Sequence, residues 1–312
     1  MLKLDAGLGI WYAVIRNMKR MAIFMHYAVI DIGSNSIRFM IQGRRDKLVI
    51  TTRLAEGLAR TGRLCESNMN ASISVIRALV NNARHMGLKP VAYATSAVRD
   101  AENKEEFINR INDNCNLIVD VLSGEREANY AFNAAAKHGE GLIDIGGGSF
   151  QIVTGQMRKS FPLGCVRGKD IAMEMGVESC DERWNEQRAL LTENVKSFLE
   201  GFECKANEWL GVGGTITCLA AYSHGIESYD DVMVDKTKLT RNKIETLIEE
   251  ISMLGAERQA KPMLAKRHDV ILYGAAILTG IMDAVGIESI TVRTVDGMEG
   301  YLDYIVKEMA ED

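Results

Sequence analysis

The chain has 312 residues, 47% of them hydrophobic and 25% charged, with a net charge of −5 at neutral pH. That length exceeds one ordinary domain and points to two medium α/β domains, while the composition excludes the disordered and fibrous classes. The acidic balance provides no global positive field, which argues against nucleic acid; a phosphate site would be local, built from backbone amides and a few arginines.

Residues 1–25 carry two apolar runs, 10–15 and 21–25, each too short and too interrupted by charge to span a bilayer. They read as an upstream extension of the kind a start codon placed too early would add. Next comes an apolar run leading into Asp31-Ile32-Gly33-Ser34-Asn35-Ser36 and a second apolar run ending at Ile41. About a hundred residues later the pattern recurs around Asp144-Ile145-Gly146-Gly147-Gly148-Ser149. Each copy reads as two strands joined by a tight turn. Glycine there tolerates positive φ, and its bare backbone lets a phosphate reach consecutive N–H groups. One copy alone would pass as an ordinary hairpin. Two copies, each with an aspartate at the end of an apolar strand where an unpaired charge is costly, mark a shared ligand site.

Between the copies, residues 68–86 have helical spacing at Met69, Ile73, Ile76, Leu79, Val80 and Ala83. Residues 91–95 form a short strand, 103–106 have the form of a capping box opening a helix to 111, 117–122 form a strand and 125–137 a helix. After the second copy, residues 181–202 read as a helix, and a strand at 208–212 runs into a third glycine turn, Gly213-Gly214-Thr215. Residues 239–254 form an amphipathic helix with Thr240 as N-cap. A helix at 270–285 carries small residues that permit close packing; a strand at 289–295 and a helix at 299–309 follow. The series is α/β. With no low-complexity linker, the halves join at a compact hinge near residue 140.

Six cysteines stand singly, reading as buried thiols in a reducing cytoplasm rather than a zinc or disulfide framework. The five histidines form no HxxxH pair, which argues against a histidine metal site.

Eight segments in order carry a family resemblance: the two Asp-Ile-Gly turns, Arg53 to Leu58, Ala94 to Arg99, Ser123 to Ala128, Gly164 to Arg167, Gly211 to Thr215 and Arg267 to Gly274. From about Tyr27 to Tyr301 the chain resembles the exopolyphosphatase and guanosine pentaphosphate phosphohydrolase (Ppx/GppA) phosphatase family. The resemblance implies a two-domain actin-like ATPase (ribonuclease H-like) fold around an interdomain cleft. Residues 26–139 plus about 298–312 would form the N-terminal domain and 140–297 the C-terminal one. Longer members carry further C-terminal helical domains, so this chain looks like a short two-domain form.

The resemblance also assigns roles. Gly33, Ser34, Asn35, Ser36, Gly146, Gly147, Gly148, Ser149, Gly213, Gly214, Thr215 and Arg99 would bind phosphate. Glu127 would position the attacking water, and Asp144, with Asp31, would hold Mg²⁺ or another divalent cation. Arg53, Glu56, Thr95, Ser96 and Arg267 are further cleft candidates. The implied activity is Mg²⁺-dependent release of terminal orthophosphate from short-chain polyphosphate or guanosine penta- or tetraphosphate, in the cytoplasm, without nucleic acid or membrane; a homodimer is left open. A phosphate or nucleotide sensor with weak turnover and a polyphosphate–nucleotide phosphotransferase are the alternative readings.

Three departures from the family pattern stand out. Ser149-Phe150-Gln151 replaces Ser-Thr-Glu, Arg126 replaces the first of two paired glutamates, and Asp296-Gly297-Met298-Glu299-Gly300 lacks the family's arginine.

Overall fold

Two mixed β-sheets backed by helices organise the chain, and the computed structural model describes residues 26–174 and 183–311. The upstream extension, Cys180 and the start of the helix expected from 181 lie outside the described residues. In the first half, β1 (Tyr27–Ile32), β2 (Ser36–Ile41) and β3 (Lys47–Thr51) form an antiparallel meander. Helices α1 (Leu58–Thr61) and α2 (Glu66–His85) lead to β4 (Lys89–Ala94); α3 (Ser96–Asp100) and α4 (Lys104–Cys115) lead to β5 (Val119–Val121). The strand order is β3-β2-β1-β4-β5.

Helix α5 (Gly124–Ala135) passes to the second half, which holds β6 (Glu140–Ile145), β7 (Phe150–Val153), β8 (Arg158–Phe161), β9 (Glu208–Val212), β10 (Lys238–Thr240) and β11 (Ser289–Val292). Its order, β8-β7-β6-β9-β11 with β10 added at the edge, repeats the first sheet. The recurring Asp-Ile-Gly motif therefore sits at the same place in both halves, at the hairpin leaving the central strand. Helices α6 (Cys165–Met173), α7 (Trp184–Phe198), α8 (Gly214–Ser223), α9 (Asp231–Val234), α10 (Arg241–Met253), α11 (Ile271–Val285) and α12 (Gly297–Glu311) complete the fold.

All six residues of β1 are buried, as expected of a central strand covered on both faces. Ala28, Ile30 and Ile32 face the core built on α2, and Tyr27 and Val29 face α12. The α2 residues in that core are the six that the helical spacing selected. Each large apolar side chain buried there contributes on the order of 1.5–3 kcal/mol.

Two helices change sides. On α5, Ala128, Ala131, Phe132 and Ala135 pack against Leu142, Val153, Leu210 and Val212 of the second sheet, although the sequence grouped this segment with the first half. Small alanines let the helix lie close on those strands. Helix α12 returns to the first sheet through Met298, Tyr301 and Leu302. Where the two helices cross, a Cβ on Gly300 would run into the Tyr130 backbone, so only glycine allows the approach.

Thr240 caps α10 as expected, its hydroxyl accepting from Lys243 N–H at 3.1 Å. The capping box at 103–106 is not formed. Asn103 occupies the N-cap, but its side chain bonds both backbone groups of Leu64, at 2.8 and 3.1 Å. The thiols are only partly interior: Cys115, Cys165 and Cys218 are buried, Cys204 is half-buried and Cys65 exposed. No helix among the described residues is long and apolar enough to cross a membrane.

Candidate active site

Both Asp-Ile-Gly turns close in the same way. Gly33 N–H donates to the Ser36 carbonyl at 3.2 Å and Gly146 N–H to the Ser149 carbonyl at 3.0 Å. Those two amides hold the turns, whereas the amides of Ser34, Asn35, Gly147 and Gly148 have no partner among the described residues. The N–H groups of Cys165, Val166 and Arg167 on α6 bond the Gly146 and Gly147 carbonyls, occupying the acceptors of the second turn and leaving its donors.

The turns meet face to face. A Cβ on Gly147 would lie 2.5 Å from Ser34 Cβ and 3.2 Å from Asn35 N; one on Gly148 would lie 2.7 Å from Ser96 Oγ. Bare backbone at these positions is what lets the two sheets bring their turns together. On the first half's side of this contact, the Ser34 and Ser96 hydroxyls hydrogen-bond to each other at 3.1 Å.

Between the turns lies a cavity of about 90 Å³. Of the residues singled out from sequence, Asp31, Gly33, Ser34, Asn35, Ser36, Thr95, Ser96, Glu127, Asp144, Gly146, Gly147, Gly213, Gly214 and Arg267 line it. Six others lie elsewhere. Arg99 stands behind Glu127, its Nη1 donating to Leu122 O at 2.8 Å and reaching Glu127 Oε2 at 3.3 Å. Gly148 forms the contact between turns, Ser149 is buried and accepts from Gln151 Nε2 at 3.1 Å, and Thr215 is buried against Gly274. Arg53 pairs with Asp269 at 3.1 Å, and Lys169 joins Asp269 at 3.0 Å to Glu56 at 3.7 Å, a cluster that ties the two halves together.

Sequence reasoning missed a charged network at the cavity. Arg38 on β2 faces Asp31 in cross-strand register, its Nε donating to Asp31 Oδ2 at 2.7 Å while Nη1 meets Asp296 at 2.5 Å. Lys47 meets Asp296 at 3.2 Å and Glu299 at 2.9 Å. The segment at 296–300 lacks an arginine, yet the cavity has Arg38 from β2. The available signal was the spacing: a cation two residues past the turn lies opposite an aspartate two residues before it.

The other departures have local accounts. Arg126 grips Asp120 with two bonds, at 2.8 and 2.7 Å, and lies over the Tyr130 and Tyr304 rings, fastening α5. Gln151 is fully buried outside the cavity lining, its Nε2 on the hydroxyls of Ser149 and Ser160.

Burial pushes the Glu127 carboxyl up to about 8 against the opposing pull of Arg99. Burial, with the nearby Asp296 charge, pushes Asp144 up to about 7. Asp31 is also raised by burial, with Arg38 pulling it back. The residues fit a magnesium ion shared with a phosphate ligand: Asp31 Oδ1 is buried without a partner, and Asp144 accepts no hydrogen bond among the described residues. No group of three or more His, Cys, Asp or Glu side chains among the described residues is placed to hold a metal by itself.

A duplicated α/β sheet whose glycine hairpins face each other across a cleft defines the actin-like ATPase fold. The chain belongs to the Ppx/GppA phosphatase family, whose model matches residues 29–309. It is 27% identical to the bifunctional 3-dehydroquinate synthase/phosphatase of Fusobacterium nucleatum over 88% of this chain, spanning 45% of that longer protein. It is also 27% identical to exopolyphosphatase 2 of Mycobacterium tuberculosis, covering 88% of this chain and 96% of that one. The crystal structure of the Aquifex aeolicus Ppx/GppA family member matches with a TM-score of 0.68 and 26% identity, covering 91% and 98% of the two chains.

Proposed function

We propose that this chain hydrolyses the terminal phosphoanhydride bond of inorganic polyphosphate or of a nucleoside polyphosphate of the guanosine pentaphosphate kind, releasing orthophosphate. The observation that carries the reading is the convergence of unpartnered amides from both turns on one small cavity that also holds Glu127, Asp31, Asp144 and Asp296.

The terminal phosphoryl group sits between the turns and receives the amides of Ser34, Asn35 and Gly147. The N-terminus of α8, at Gly213 and Gly214, adds donors from the third side. Arg267 lies over Gly214 so closely that any Cβ there would collide with its guanidinium, and it has no acid partner among the described residues. It is thus free to take a phosphate oxygen. Glu127, held by Arg99, accepts the proton of a water whose oxygen attacks phosphorus as the bridging P–O bond breaks and the bridging oxygen leaves, with the bonding pair, on the shortened chain. A carboxylate raised toward neutrality is suited to that proton transfer. Asp31 and Asp144 would hold Mg²⁺, which when bound supplies charge neutralisation on the phosphoryl oxygens.

The test is phosphate release with Mg²⁺ from polyphosphates of several lengths, guanosine tetra- and pentaphosphate and ATP. Release from at least one is expected. Binding without release from any would replace this reading with that of a phosphate or nucleotide sensor, which the neutral Gln151 opposite Asp144 favours.

A further inference from the structure

Beside the small cavity lies a larger one of about 540 Å³, and the two share Ser36, Arg38, Gly213, Gly214, Arg267 and Asp296. Apolar surface comes from Leu48, Val49, Pro262 and Met263, with Tyr229 half-exposed beside them. Four cations line the space: Arg38, Lys47, Lys266 and Arg267. Four carboxylates offset them: Asp46, Glu227, Asp231 and Asp296. The larger cavity therefore has no net charge among its lining residues.

Two of the cations near the junction are already engaged with carboxylates. Asp296, only 7% exposed, holds Arg38 at 2.5 Å and Lys47 at 3.2 Å. A phosphate chain running outward from the small cavity would meet that carboxylate and two neutralised cations; Arg267 is taken up by the terminal phosphate, which leaves Lys266, its Nζ donating to the Val49 carbonyl at 3.4 Å, as the one lining cation to compensate. An uncharged group with a flat apolar face meets no such repulsion and finds Leu48, Met263 and Tyr229 to lie against.

We propose that Asp296 determines specificity: it bars further phosphates from the larger cavity and leaves that cavity to an uncharged, flat organic group carried on a short phosphate chain, as in a nucleoside polyphosphate. The inference rests on the small cavity being the terminal-phosphate site. Asp296 also caps α12, its Oδ1 accepting from Met298 N–H at 3.0 Å. Asp296→Asn keeps a capping oxygen and removes the charge, which separates the two roles.

Calorimetric binding to the full chain tests this. Wild-type protein binds guanosine triphosphate at least about tenfold more tightly than inorganic tripolyphosphate, which has the same number of phosphates. In Asp296→Asn, the affinity for long-chain polyphosphate relative to guanosine triphosphate rises at least about fivefold, the effect of removing one buried opposing charge. Tighter binding of tripolyphosphate by the wild type overturns the proposal, as does a variant with lowered thermal stability and an unmoved ratio, the mark of capping alone. Phosphate release is followed in the same samples. Its absence removes the hydrolase reading while the binding ratios still decide the role of Asp296.

Discussion

In the first hairpin Asp31 faces Arg38 across β1 and β2; in the second, Asp144 faces Gln151 across β6 and β7, at the equivalent register position. The backbones close identically, but one aspartate has a guanidinium at 2.7 Å and the other has a neutral amide turned toward two serines. The first turn thus arrives with a cation on its own strand pair, which offsets part of the rise that burial gives Asp31. The second leaves a carboxylate with no hydrogen-bond partner among the described residues, and burial, with the Asp296 charge, drives Asp144 up to about 7 against the pull of Arg38 and Lys47. The duplication supplied two turns of the same backbone form, and divergence of a single cross-strand partner left Asp144 without the guanidinium that Asp31 has.

The largest expected effect lies outside the pair. Glu127→Gln slows phosphate release at least about a hundredfold while leaving ligand affinity nearly intact, the scale of losing a general base. Unchanged turnover would remove Glu127 from the chemistry.

The comparison itself is put at risk by exchanging each aspartate. Asp144→Asn is expected to lower turnover about thirtyfold and to raise the Mg²⁺ concentration needed for half activity, because charge neutralisation at the phosphoryl group weakens. Asp31→Asn adds a stability cost of about 1–3 kcal/mol in denaturant unfolding, since Arg38 then keeps only Asp296, and shifts the metal requirement less than Asp144→Asn does. Equal shifts of the metal requirement in both variants would show that Arg38 does not distinguish the hairpins.

Gly147→Ala tests the contact between the turns. Its new methyl group, 2.5 Å from Ser34 Cβ, forces them apart. Stability is expected to fall by about 1–3 kcal/mol. Turnover should drop about tenfold, as each turn loses alignment on the shared anion. Wild-type activity in this variant would mean that the turns need not meet.

The smallest effect is the pH dependence of stability without metal. Glu127 and Asp144 hold protons more tightly folded than unfolded, so their contribution is complete below the ordinary carboxylate range and is lost as pH rises from about 4 through about 8. Urea titrations should show that decline, and Mg²⁺ with a phosphate ligand should reduce it. A midpoint that rises steadily over this window would contradict the assignment of Asp144 as the acid without a guanidinium partner.

Much of the architecture could be read locally. The six apolar positions of α2, the Thr240 cap and the two hairpins follow from spacing, capping chemistry and glycine, each decided within a few residues. Short strands of mixed polarity, β3, β8 and β10, carried no such pattern and were not anticipated. Asn103 looked like the opening of a capping box, but Leu64, far away in sequence, offered its side chain better-placed partners. Arg99 had the residue type expected of a phosphate ligand, yet the Leu122 carbonyl and Glu127 fix its guanidinium behind the cavity.

By itself, the sequence determined the turns and the strands that present them, because hairpin closure needs only neighbouring residues; the positive φ expected of the turn glycines is not used at Gly33, Gly146, Gly147 or Gly148, where the missing side chain serves close approach instead. The charge balance around those turns was decided by tertiary structure alone. Arg38 and Asp296 are 258 positions apart and meet only because α12 folds back onto the first sheet. A pairing between residues so distant leaves no local periodicity to detect, and the energy of a buried charge depends on which partners the fold delivers to it.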